Sequence, residues 1–222
     1  MATAGLGFLT AIVMSLYMKR TFWSEGYTLS LVKGRRRTSI LTGPGLSMDD
    51  RLYYPCRVQF GGAAVFVVWY TDSLDGFVRD DAGRLLTALT LDGLETRAGT
   101  RGIRLAVAEQ ADYDFDRIRA WCAAPDAAGV DCPAFLNAWN FLDDLAGLHG
   151  GADTPYTRLS RGAASCYERL FWGCNLPAVT PPGKRFDPTW SASELDEIRR
   201  VLEAGLDALG SELRAAPGAP SA

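Results

Sequence analysis

About midway along this chain the spacing of apolar residues lengthens from two to between three and four, and few folds accommodate that change. Before the change the pattern is that of strands. Tyr27–Lys33 alternates apolar with polar residues, and Arg37–Thr42 repeats the alternation after a turn at Gly34 and Arg35. Gly43-Pro44-Gly45 then interrupts it. Leu52–Phe60 carries strand residues with Pro55 among them, so an edge position or a bulge is expected there. Ala64–Thr71 is continuously apolar and rich in β-branched and aromatic side chains, which predicts a strand covered on both faces. Phe77–Arg79 and Arg84–Leu89 flank Asp80-Asp81-Ala82-Gly83, a hairpin signal in which Asp opens the turn and Gly takes the left-handed position.

Leu91, Leu94 and Ala98 predict a short amphipathic helix, and Ile103–Val107 a further strand. From Tyr113 onward the pattern is helical. Residues 113–123 set Phe115, Ile118, Trp121 and Cys122 on one face. Residues 133–146 follow with Pro133 in the first turn, then residues 165–174. Ser191-x-x-Glu194 is a capping box heading a last helix striped by Leu195, Ile198, Leu202, Leu206, Leu209 and Leu213. The expected fold class is therefore α+β, an N-terminal antiparallel β-sheet of about five or six strands packed by C-terminal α-helices. One domain is expected over residues 19–214, with 1–18 a poorly ordered or non-native extension and 215–222 a disordered tail.

Composition narrows the class of function. The chain has 222 residues, 48% hydrophobic and 22% charged, with a net charge of −3, which suits a globular protein and not a disordered or fibrous one. Residues 1–57 carry a net +5 and residues 109–153 a net −7. An excess so small and so divided is unlike a basic nucleic-acid-binding domain, and no nucleic-acid partner is expected. The uncharged stretch 5–18 is 14 residues long, short of the ~20 a helix needs to cross a bilayer, so no stable membrane insertion is expected. Five cysteines without a C-x-x-C pair predict core thiols in a reducing, cytoplasmic setting. With His149 as the one histidine, no metal site and no cofactor are expected. Phosphate-binding glycine loops, zinc-protease and serine-hydrolase motifs are absent from the sequence.

Two groups of polar residues stand out. Asp112, Asp114 and Asp116 alternate ahead of a helix, where carboxylates favour the positive helix end. They lack the glycine and glutamate of a calcium loop. In the 133–146 helix, whose circumference is mostly apolar, Asn137, Asn140 and Asp144 share one narrow stripe with Asp143 beside it. Such buried polar groups either bond neighbouring loops or meet a partner. Asp143 and Asp144 point about 100° apart on a helix, so a shared substrate is not their natural focus. An alternative reading makes one of them, with His149, part of a hydrolase or transferase.

The run from Phe77-Val78-Arg79 through Leu91 and Leu94 to Gly102-Ile103-Arg104-Leu105, and the helix Val130–Asp144 with Arg169–Pro177, resemble the layout of immunity proteins encoded beside bacterial polymorphic toxins. The resemblance implies a non-catalytic protein that blocks a toxin by binding it. Such proteins share no common interface, so the resemblance assigns no residue. The expected function is thus that of a cytoplasmic protein-binding protein whose partner is a basic toxin domain. Asp112, Asp114, Asp116, Asn137, Asn140, Asp143 and Asp144 would provide the binding surface.

Overall fold

A computed structural model describes residues 51–71, 75–148 and 153–216. The strands expected at 27–33 and 37–42, the extension 1–18, His149 and most of the 215–222 tail lie outside the described residues. Within them the fold is α+β, a mixed five-stranded sheet followed by helices.

Strand β1 (Leu52–Phe60) pairs antiparallel with β2 (Ala63–Thr71) along its whole length. The turn between them is Gly61-Gly62, with φ +64° and +78°. A two-residue hairpin turn with both central residues left-handed demands glycine or its near equivalents, and this sequence supplies two. β2 is interior to the sheet and buried on both faces, as its composition predicts. Val65, Val67 and Trp69 join the large core on one side, and Val68 joins a smaller core on the other.

Pro55 is not at an edge, because β1 also pairs in parallel with β5 (Ala111–Asp114). It survives there because of where its missing N–H falls. The Tyr53 carbonyl accepts from Ala106 N–H at 2.8 Å, so Tyr53 turns its polar groups away from β2. Pro55, two residues on, faces the same way. Opposite it the neighbouring chain steps out through a short 3-10 turn, Val107–Glu109, between the Leu105 bridge and β5. The lost donor costs little where no acceptor is in register. The strand expected at 103–107 is thus reduced to a single bridge, Tyr53 to Leu105, and the pairing strand lies at 111–114.

The other neighbour of β2 comes in two pieces. β3 (Gly76–Phe77) pairs with Tyr70 and Trp69, and β4 (Thr87–Ala88) pairs with Val67 and Phe66. Both run antiparallel to β2 in continuous register, so they form one lane interrupted by a hairpin over residues 79–86. Asp80 builds that hairpin. Its carboxylate accepts from the backbone N–H of Ala82 and Arg84, both at 3.0 Å, and from Nε and Nη2 of Arg84. The side-chain bonds from Arg84 hold the Asp80 carboxyl below its usual range. Gly83 takes the left-handed position at φ +77°.

Helix α1 (Leu91–Gly99), capped by Thr90, covers one face of the sheet through Leu94 and Ala98. The remaining helices lie against the other face: α2 (Phe115–Ala123), α3 (Cys132–Gly147), α4 (Pro155–Gly162), α5 (Ala164–Gly173) and α6 (Ala192–Ala215). α2 buries Phe115, Ile118, Trp121 and Cys122, the face its spacing predicts. α6 opens with the expected capping box of Ser191 and Glu194 and buries Ile198, Leu202, Leu206, Leu209 and Leu213. α3 is the centre of the helical layer, with Phe135, Leu136, Trp139, Phe141, Leu142 and Leu145 buried. α4 has no counterpart among the expected helices. Its signals are Thr154 at the cap, Pro155 in the first turn and a reciprocal bond with Thr157, where glutamate is the usual partner.

Candidate functional site

The structure divides the seven polar residues singled out by sequence among different settings. Asp112 and Asp114 sit on β5, two apart, so both project from the sheet face opposite the buried Ala111. Asp112 is 62% exposed and 3.8 Å from Arg57, its cross-strand neighbour in register. Asp114 is exposed and caps α2, accepting from Arg117 N–H at 2.9 Å. Both residues are exposed.

Asp116 has a different task. Its carboxylate accepts from Gly61 N–H at 2.6 Å and Gly62 N–H at 2.9 Å, tying the first turn of α2 to the β1–β2 hairpin. Burial works against the charged form, but those amides, the Gln59 side chain and Arg119 outweigh it, and the carboxyl is held below its usual range. A depressed carboxyl contributes stability that is present above the unfolded value near pH 4 and lost as pH falls through the lower folded value. Asp116→Ala is therefore expected to cost about 1 kcal/mol at neutral pH, less than the ~1.5–3 kcal/mol usual for hydrogen bonds to charged groups because the site is partly open to water. The difference from wild type should shrink below about pH 4. Urea unfolding at pH 7 and pH 3 checks both parts.

On α3 the stripe turns inward. Asn140 is buried and its Oδ1 accepts from Tyr167 O–H at 2.8 Å, while its Nδ2 is buried without a partner among the described residues. Asn137 is half-buried beside it. Asp143 accepts from Tyr156 O–H at 2.8 Å and Ser160 O–H at 2.9 Å, both on α4. Ser160 in turn accepts from Trp139 Nε1 at 3.0 Å, so the carboxylate ends a polar chain that docks α4 on α3. Asp144 points to the sheet and accepts from Trp69 Nε1 at 2.8 Å. As the helical offset of 100° predicts, the two adjacent carboxylates serve different neighbours.

Asp144 borders a cleft. A cleft of about 600 Å³ opens where the ends of β1, β2 and β3 meet the C-terminus of α3. Charged side chains of both signs line it, Arg51 and Arg79 with Asp75 and Asp144. Tyr53, Tyr70 and Phe77 supply aromatic walls. The Arg51 guanidinium lies 4.3 Å from the centre of the Tyr70 ring. Tyr70 also lies across Gly76, its partner in register, so closely that a Cβ there would meet the phenol oxygen at 2.9 Å. A strand glycine often marks such a close approach, and here it lets the ring form part of the cleft wall. Of these residues sequence reasoning finds Asp144 alone, since the others come from separate segments and carry no shared spacing.

Among the described residues no group of three or more His, Cys, Asp or Glu side chains is placed to hold a metal ion. Burial pushes the Cys132 thiol up to about 11 and those of Cys122, Cys166 and Cys174 to about 12, and raises Cys56 further. Thiols held in that state are packing residues rather than nucleophiles at neutral pH. Among the described residues no helix is long and apolar enough to cross a membrane. Comparison with protein-family models, with curated proteins and with solved structures finds no match to this chain.

Proposed function

We propose that this protein acts by binding another protein, in the manner of the toxin-neutralising immunity proteins, and that Asp112 and Asp114 are its electrostatic contact. The observation that carries the reading is their placement. They are outward-facing carboxylates on one sheet face, and Asp112 is only loosely paired with Arg57 at 3.8 Å. Such groups speed encounter with a basic surface. Asp116 and Asp143 are excluded from the contact because their oxygens are engaged in holding the hairpin and α4. The alternative, a hydrolase or transferase using Asp143 or Asp144 with His149, turns on a histidine outside the described residues, and the two aspartates themselves are engaged by α4 and by Trp69.

The partner to test is the product of an adjacent gene bearing a basic carboxy-terminal module. Asp112→Asn with Asp114→Asn removes both charges while asparagine still caps α2. The association rate with that module is expected to fall about threefold to tenfold and to lose part of its salt dependence. An unchanged rate and salt dependence in the double variant overturns the assignment of these two residues.

A further inference from the structure

Between α5 and α6 the chain runs as a loop in which residues 181–187 are all exposed. Such exposure ordinarily goes with mobility, yet this loop is held at defined points. Pro182 and Gly183 form a turn closed by Lys184 N–H to Pro181 O at 3.0 Å, with Gly183 at φ +74°. Asn175 then clamps both polar groups of Phe186. Its Oδ1 accepts from Phe186 N–H at 2.7 Å and its Nδ2 donates to Phe186 O at 2.9 Å. The same Nδ2 donates to Gly173 O at 3.0 Å, which ties the clamp to the end of α5. Farther along, Arg169 of α5 donates to Thr189 O at 2.8 Å. Between the turn and the clamp stands Arg185, its side chain 75% exposed. Its ion pair with Asp187, at 2.7 Å, is open to water, where such a pair is easily exchanged for another. A nucleic acid or an anionic membrane would need several aligned cations, and Asp187 offsets one of the two here. An arginine presented on a tethered, exposed stretch of chain suits instead a catalytic cleft whose specificity pocket ends in a carboxylate.

We propose that this loop inhibits arginine-selective serine proteases, with Arg185 in the specificity pocket and the Arg185–Phe186 peptide bond facing the protease serine. The serine oxygen attacks the Arg185 carbonyl carbon, an ester forms, and the C–N bond to Phe186 breaks. The leaving nitrogen takes the serine's proton by way of the protease histidine. In a free peptide the new amine diffuses away and water cleaves the ester. Here Asn175 still holds Phe186, and Arg169 the chain beyond it, so the amine stays at high effective concentration. It re-attacks the ester, restores the peptide bond and returns the proton to the serine, leaving the protease occupied by an intact loop. Holding the loop in one shape beforehand also lowers the entropic cost of binding. This surface is independent of the partner contact proposed above, since it uses neither Asp112 nor Asp114.

The experiment mixes the full chain with trypsin, reads residual activity on a chromogenic arginine substrate, and follows the Arg185–Phe186 bond by mass spectrometry. The wild type is expected to inhibit with a constant of about 1 μM or below while that bond stays mainly intact. Arg185→Ala changes an exposed side chain, so it should melt as the wild type does and inhibit about thirtyfold or more weakly. Asn175→Gly tolerates the φ of +49° and removes the clamp. It should inhibit only transiently, as the 185–186 bond is cut and stays cut. A loop that is merely an exposed substrate would be cut there equally fast in the wild type and in Asn175→Gly. That result overturns the proposal, as does inhibition undiminished in Arg185→Ala or no inhibition by the wild type at about 100 μM.

Discussion

Replacing Trp139 by alanine is expected to lower the unfolding free energy by about 3–5 kcal/mol, a large share of the 5–15 kcal/mol typical of a natural domain. The indole is fully buried at the centre of α3 and meets the Tyr167 ring edge to face at 5.7 Å between centroids. Its loss opens a cavity that α3, α5 and α6 can close only by shifting together, because interiors are close-packed. A polar loss adds to the apolar one. Trp139 Nε1 donates to Ser160, and without it the buried Ser160 O–H and Asp143 network is left short of a donor. Trp139→Phe should recover most of the packing and none of that hydrogen bond, so it is expected to fall between the two. Urea unfolding of all three proteins orders them, and a Trp139→Ala cost below about 1.5 kcal/mol would contradict the packing described for α3.

Gly205→Leu is the second substitution with a large expected effect, and it acts by excess volume. Gly205 lies in α6 where the helix crosses α3 and α4. A Cβ built there would collide with the Leu142 side chain and meet the Tyr156 ring at 3.0 Å. Leucine in a helix interior ordinarily gains about 0.8 kcal/mol over glycine, but overpacking costs about 1–3 kcal/mol and more when backbone must move. The net expectation is a loss of about 2 kcal/mol or more, with Gly205→Ala losing less because it adds only the first carbon. Gly99 in α1 provides the contrast, since a Cβ there has nothing within 4 Å. Gly99→Ala is expected to be neutral or stabilising by about 0.5 kcal/mol. Opposite signs at the two glycines would show that space, and not helix propensity, decides the outcome.

Burial in the helical layer is legible in the spacing of the residues themselves. The buried faces of α2, α3 and α6 follow the three-and-four spacing of their apolar residues, and β2 follows its unbroken apolar run. The Asp80–Gly83 hairpin and the Ser191–Glu194 cap are also readable, because their geometry depends on residues three or four apart. β5 is not. Tyr113 and Asp114 read as the start of the 113–123 helix, and only the parallel register with β1, which begins some sixty residues earlier, makes Ala111–Asp114 a strand. The antiparallel sheet expected from alternation is mixed for that reason. α4 escapes the reading because threonine stands where a glutamate would have completed the familiar cap.

The aspartates separate what the chain's order of residues determines from what folding decides. Their number, and their crowding between residues 109 and 153, are properties of the sequence alone. Their roles are not. Asp116 became the clasp of a hairpin, Asp143 the end of a buried polar chain, Asp144 part of a cleft wall, and Asp112 and Asp114 stayed in water. Periodicity records which side chains must leave solvent, since burial repeats with the backbone. What a carboxylate does is set by the donors that distant segments bring to it, and that is decided only when sheet and helices pack.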